Sequence, residues 1–222
     1  MNIAVLGAES TGKTWLTREI VAQFEMRGQS TCLIPEALRE WCAREGRTPE
    51  QAEQFAIARE QADRLIGSDR CDAVICDTTP LMTAVYSDWR FGDHTLHDFA
   101  IQHQKNYALT LVMGLDLPWV ADAHQRDGPQ SREPVDALLR LTLELAGIPY
   151  FTVYGTGSRR IQNAMSAIFH GYRAKKAETP PSHTSAPINR VWSCDKCGDA
   201  TCERHLFRGL LPDLSLDRRI AR

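Results

Sequence analysis

The stretch Ile3-Ala4-Val5-Leu6-Gly7-Ala8-Glu9-Ser10-Thr11-Gly12-Lys13-Thr14 decides the fold. Its first four residues form a short continuous apolar run, the pattern of a strand buried on both faces. The run feeds directly into GxxxxGK(S/T), complete from Gly7 to Thr14. The glycines let the backbone curl so that successive N–H groups point inward at phosphate oxygens. Lys13 reaches the β- and γ-phosphates, and the Thr14 hydroxyl is placed to ligate magnesium. From Trp15 to about Arg27, Leu16, Ile20, Val21 and Phe24 recur at helical spacing, so bound phosphates would sit at a helix N-terminus. Gly7, Ala8, Glu9, Ser10, Thr11, Gly12, Lys13 and Thr14 are therefore the expected binding residues for a nucleoside triphosphate, with ATP and Mg2+ as the ligands.

Outward from this loop, further apolar runs recur at intervals too long for hairpins: 31–34, 73–76, 109–113 and 150–153. Polar-apolar helical stretches lie between them. This alternation predicts an α/β P-loop NTPase fold, a parallel sheet with helices on both faces, whose ligands bind beyond the carboxyl ends of the strands. The residues just after each run are thus the ones that matter. Asp77 follows the third run and is the expected magnesium or water ligand opposite Thr14. Glu36 follows the second; it either orients and deprotonates an acceptor hydroxyl or caps the helix that starts beside it. After the fourth run, the turn-rich segment 115–134 carries Arg126 and Arg132. They are expected either to close over a transferred phosphoryl group or to belong to an ordinary solvated loop. Gly155-Thr156-Gly157 after the last run either borders an adenine ring or is only a turn and N-cap.

The chain has 222 residues and a mass of 25.0 kDa, 43% apolar and 24% charged, enough for one sizeable core with some residues to spare. No apolar run approaches the roughly 20 residues of a membrane helix. The first residues lack the basic leader and apolar stretch of a secretion signal, so a cytoplasmic protein without a membrane partner is expected. The net charge of −2 argues against a protein built mainly to neutralise nucleic-acid phosphates. That average divides into −6 over residues 1–172 and +4 over 173–222. With seven cysteines in a reducing compartment, a disulfide framework is not expected. Cys32, Cys42, Cys71 and Cys76 read as buried thiols of the nucleotide-binding part.

With the phosphate loop, Pro35-Glu36…Arg39, Asp77-Thr78-Thr79 and Pro118-Trp119-Val120…Asp122…Arg126…Arg132 in order, residues 2–172 resemble the ribosylnicotinamide kinase domain of NadR-type proteins of NAD metabolism. The resemblance implies an ATP- and magnesium-dependent phosphotransferase acting on the ribose 5′-hydroxyl of nicotinamide riboside or a related nucleoside. Neither the adenylyltransferase domain nor the helix-turn-helix region of those proteins precedes Gly7, so their roles are not carried over. His124-Gln125 before Arg126 departs from the family pattern. The acceptor would lie against two helical stretches, 36–66 and 81–107. These offer Trp41, Tyr86 and Trp89 as aromatic faces, with Arg39 and Asp88; core packing is the competing role for the aromatics. His94, His97 and His103 read as surface or packing residues without metal spacing.

From 173 the composition changes to an almost bulk-free stretch with three prolines, read as a linker over 173–190. The remainder, 191–222, contains Cys194, Cys197, Cys202 and His205 as CxxCx4CxxH. Four soft protein ligands at such spacing point to a structural Zn2+ site, with His183 as a substitute for His205; coincident reduced thiols are the alternative. The tail would then be a docking element for a protein partner. That leaves a second function class: an ATPase whose hydrolysis drives an interaction through the tail, with no small acceptor.

Overall fold

The structure, a computed structural model, describes residues 1–120 and 128–178, the side chains of Asp69 and 173–178 excepted. Five parallel strands form one sheet: β1 (Asn2–Leu6), β2 (Thr31–Ile34), β3 (Ala73–Asp77), β4 (Leu109–Met113) and β5 (Phe151–Val153), in the order β2-β3-β1-β4-β5. All four pairings are parallel. The continuous apolar runs become the central strands: β3 and β4 are buried at every position, as a strand covered on both faces requires.

Among the described residues, seven α-helices connect and cover the strands: α1 (Lys13–Glu25), α2 (Ala37–Glu45), α3 (Gln51–Asp63), α4 (Pro80–Phe91), α5 (His97–Gln104), α6 (Arg132–Leu145) and α7 (Gly157–Glu178). On one face Ile3, Val5, Ile75, Leu111 and Met113 pack with Leu16, Ile20 and Phe24 of α1 and Ala164, Met165 and Ile168 of α7. On the other, Ala4, Leu6, Val74, Cys76 and Val112 pack with Leu81 and Val85 of α4 and Val135, Leu139 and Leu143 of α6. Alternate strand residues thus feed two cores, and the sheet is a three-layer centre. Among the described residues, no helix is long and apolar enough to cross a membrane.

Three differences from the sequence expectations have local causes. Each of the two long acceptor-side helices is two helices. Gly46 (φ +68°) ends α2 and Gly92 (φ +64°) ends α4, both in the left-handed conformation that glycine adopts without a Cβ clash. The segment read as a linker from 173 begins as helix, since α7 runs on to Glu178. Finally, Cys32 and Cys71 are joined as a disulfide across a sequence separation of 39, with Cα atoms 5.9 Å apart. Cys71 ends the short turn Ser68–Arg70 just before β3, and Cys32 lies in β2, which pairs with β3, so the bond ties that turn to the neighbouring strand. Cys42 and Cys76 are buried and take no part in that bond; burial pushes the Cys76 thiol up to about 12. Cys194, Cys197, Cys202 and His205 lie outside the described residues.

Candidate functional site

The phosphate loop leaves β1 at the centre of the sheet and enters α1 through Gly12 (φ +79°), which stands at the N-cap. A Cβ on Gly7 (φ +149°) would lie 2.8 Å from Met113 Cβ, so the loop can turn against β4 only with glycine there. The loop holds its own curve: Thr11 Oγ1 donates to Ala8 O at 2.7 Å, and Lys13 Nζ donates to the same carbonyl at 3.0 Å. Ala8 is fully buried in the core, so it serves the loop through its backbone. Ser10 has φ +54°, an uncommon conformation for a residue with a Cβ.

Thr14 and Asp77 meet as expected. Thr14 Oγ1 donates to Asp77 Oδ2 at 2.5 Å, and Asp77 Oδ1 is buried with no hydrogen-bond partner among the described residues. Burial raises the Asp77 pKa and the Lys13 ammonium opposes that rise. A hydroxyl and a carboxylate with one orphaned oxygen, beside a lysine, form the kind of oxygen donor set that suits Mg2+. The next residue, Thr78 (φ +70°), donates its N–H to Val5 O at 3.1 Å. The chain thereby swings from β3 into α4, with Thr79 accepting from Leu81 N as the N-cap and Pro80 at N1.

A cavity of about 210 Å3 runs from the loop toward α2, α3 and α4. Lys13 and Thr14 line its phosphate end; Glu36, Arg39, Gln61, Thr83 and Tyr86 line the far end. Glu36 occupies the N-cap of α2 but its side chain makes no capping hydrogen bond. Instead it faces the cavity, with Oε2 3.3 Å from Arg39 Nε. Of the other expected acceptor groups, only Arg39 and Tyr86 reach this cavity. Trp41 packs in a small core with Leu38, Cys42 and Ile57, beneath the Arg47 guanidinium, and Trp89 packs against the main core. Asp88 turns to His94 and His97, two histidines read from the sequence as surface or packing residues. His103 packs against Phe99 and Tyr107.

The expected lid contributes differently. Ser10 Oγ donates to Val120 O at 2.7 Å, and Leu117 approaches Gly12, so residues 115–120 pack on the phosphate loop. Arg132, the first residue of α6, donates from Nη2 to Leu117 O at 2.9 Å and to Leu115 O at 3.4 Å. Its guanidinium therefore holds the start of that segment and does not line the cavity. Arg126 lies outside the described residues.

A residue that sequence reasoning missed ties the site together. Arg160 of α7 is fully buried. Nη1 donates to Asp116 Oδ1 (2.9 Å) and Gly155 O (2.7 Å); Nη2 donates to Thr11 O (3.0 Å) and Gly114 O (3.4 Å). Gly155 N donates in turn to Asp116 Oδ2 at 2.6 Å. One guanidinium thus joins the phosphate loop, the segment after β4 and the Gly155-Thr156-Gly157 turn, whose close approach glycine permits.

A sequence-family profile described as an AAA domain matches residues 2–160. Among solved structures the chain is similar to NadR protein in complex with NR, at 17% identity and a TM-score of 0.62, over 83% of this chain and 52% of that one. It is likewise similar to deoxyadenosine kinase from M. mycoides with the products dCMP and a flexible dCDP bound, at 15% identity and a TM-score of 0.55, over 77% of this chain and 100% of that one. The chain thus spans about half the length of the NadR protein. At these identities the likeness is one of fold. No curated protein matches the sequence.

Proposed function

The chain belongs to the AAA-domain family, and from that premise we propose that it is an ATP- and magnesium-dependent kinase of a small nucleoside, with nicotinamide riboside as the favoured acceptor. The observation that carries this reading is the cavity continuing beyond Lys13 and Thr14 to Glu36, Arg39, Gln61, Thr83 and Tyr86. Hydrolysis alone needs room for one water, whereas this space offers a carboxylate, a guanidinium, an amide, a hydroxyl and an aromatic ring to a second molecule. The two similar proteins, a deoxyadenosine kinase and a NadR protein holding NR, support the choice of a nucleoside.

In this proposal the loop amides and Lys13 hold the β- and γ-phosphates, and Thr14 with Asp77 holds the magnesium. The metal supplies neutralisation of charge on the phosphate oxygens. Glu36 orients the acceptor hydroxyl and accepts its proton as the new O–P bond forms and the bond from the γ-phosphorus to its bridging oxygen breaks, releasing ADP. Arg39 keeps the Glu36 carboxylate turned into the cavity. Tyr86 lines this end with an aromatic side chain, which suits a cationic pyridinium base.

The test is product analysis with the full chain, magnesium-ATP and a panel of nucleosides including nicotinamide riboside. Stoichiometric ADP and nucleoside monophosphate are expected. ADP with free phosphate as the sole product, unstimulated by any nucleoside, would instead establish the ATPase. For residues 191–222 we propose, on sequence grounds, a structural zinc site on Cys194, Cys197, Cys202 and His205. Zinc content of the reduced protein that falls by one equivalent in Cys194→Ala and in Cys197→Ala, relative to wild type, is the expected result.

A further inference from the structure

On the far side of α4 from the cavity, a second group of chemistry-bearing residues converges. Asp88 lies two residues beyond Tyr86, about 200° further round the helix, and so faces away from the cavity that Tyr86 lines. His97 begins α5 and His94 lies in the turn between the two helices. Both imidazoles meet one carboxylate oxygen: Asp88 Oδ2 is 3.1 Å from His94 Nδ1 and 2.9 Å from His97 Nε2. The three ligand atoms all lie within 4.8 Å of one another. The side chains of Asp88 and His97 are 14% and 17% exposed, whereas that of His94 is 75% exposed.

The turn that produces this meeting is firmly built. The Gly92 N–H donates to Asp88 O at 2.8 Å as α4 ends. The buried Asp93 carboxylate accepts from Thr95 N (3.0 Å), Thr95 Oγ1 (2.7 Å) and Ser87 Oγ (3.1 Å). Those bonds fix residues 92–95 and set His94 and His97 on the same side as Asp88.

We propose that Asp88, His94 and His97 form a site for a divalent transition-metal cation of the zinc class, completed by water. A single carboxylate oxygen facing two imidazole nitrogens is a donor set that suits zinc, copper or nickel better than magnesium or calcium. Ligand atoms around a tetrahedral zinc at bonds of about 2.0–2.1 Å stand about 3.3 Å apart, so the two separations from Asp88 Oδ2 need open by only a few tenths of an ångström, while the exposed His94 ring is free to swing to the third position. The two sheltered ligands supply the fixed side of the site, and the exposed His94 supplies the entry path. The bound cation would fasten the end of α4 to the start of α5 while the opposite face of α4 lines the nucleoside cavity.

The test uses the untagged full chain, reduced and free of nucleotide, with Cys194, Cys197, Cys202 and His205 all replaced by alanine to remove the tail ligands. Calorimetric titration with zinc chloride is expected to show one equivalent bound. Affinity should fall at least about 10-fold in both His94→Ala and His97→Ala. His94→Ala cannot be dismissed as misfolding, because that ring is mostly exposed. Zinc should also raise the melting temperature of the parent chain and of neither variant. Absence of binding in the parent, or affinity unchanged by both histidine substitutions, overturns the site. So does thiolate-to-metal charge-transfer absorption in the cobalt-substituted protein, which would place the metal on cysteine.

Discussion

Arg160 offers the sharpest test of how the site is held. Its side chain is fully buried and serves four acceptors: the Asp116 carboxylate and the carbonyls of Thr11, Gly114 and Gly155. Arg160→Met keeps most of the volume and removes every donor. Removing one partner of a buried ion pair costs about 3–5 kcal/mol, because the other groups are stranded away from water. A domain of this kind has about 5–15 kcal/mol in total, so the loss is a large fraction of its stability. Arg160→Lys keeps the charge but replaces the planar fork with a point donor, and a loss of about 1.5–3 kcal/mol is expected. Urea unfolding followed by circular dichroism should show both as lower midpoints with unchanged slopes. Since the Thr11 carbonyl belongs to the phosphate loop, Arg160→Lys should raise the KM for ATP more than it lowers kcat. Pairing it with Asp116→Asn in a double-mutant cycle should give a coupling of about 0.5–3 kcal/mol. Unfolding of Arg160→Met within about 0.5 kcal/mol of wild type would refute the account of Arg160 as the link between the three segments.

Other substitutions probe separate parts of the proposal. Lys13→Ala should cut kcat by about 10²–10³-fold, the usual loss when one positioned donor to a transferring group is removed, and coupled ADP detection reads this directly. Glu36→Gln should lower kcat by about 10²–10⁴-fold with little change in the KM for ATP; an unaltered kcat would return Glu36 to a purely helix-starting role. Replacing Cys32 and Cys71 together by serine should cost about 2–4 kcal/mol in denaturant unfolding, from the loop-closure entropy of a separation of 39 residues. Unfolding of the wild type that is indifferent to reductant would show that no such bond contributes.

The parts of this chain legible in its sequence are those set by local pattern. Continuous apolar runs marked all five strands because a parallel sheet covered on both faces leaves no polar alternation. Thr14 and Asp77 could be paired in advance because the loop and the strand end each occupy a fixed place in such a sheet. What escaped depends on register or on three-dimensional convergence. Cys32 and Cys71 look like two ordinary thiols until β2 pairs with β3. Asp88, His94 and His97 have no helical spacing, because a glycine turn separates them. Arg160 follows Arg159 at the start of an amphipathic helix and reads as surface charge; it is buried because three backbone segments present carbonyls at one point. The Gly46 and Gly92 breaks were visible as residues, yet polar-apolar periodicity continues across them and masks the stop.

Three locally unfavourable features surround the phosphate end of the cavity, and together they predict a pH-dependent response to ligand. Ser10 and Thr78 hold left-handed backbone, each at a cost of about 1–3 kcal/mol. Asp77 is a buried carboxylate with one oxygen unpartnered, and burial raises its pKa. A carboxyl whose folded pKa is raised contributes stability that is fully present below its unfolded value, about 3.8, and is lost as pH rises through the folded value. Burial thus makes the Asp77 carboxylate costlier to ionise in the ligand-free fold than in the unfolded chain, with Lys13 and Thr14 offsetting only part of that cost, and a cation held by Thr14 and Asp77 would favour the ionised form. The rise in melting temperature produced by magnesium-ATP should accordingly grow as pH rises through the Asp77 pKa and shrink as pH falls through it. In Asp77→Asn it should be smaller throughout, and any remaining slope reports the nucleotide's own protonation. A wild-type profile superimposable on that of Asp77→Asn would mean that the cation does not use this carboxylate. The strained loop, the left-handed turn and the orphaned oxygen would then need a cause other than ligand binding.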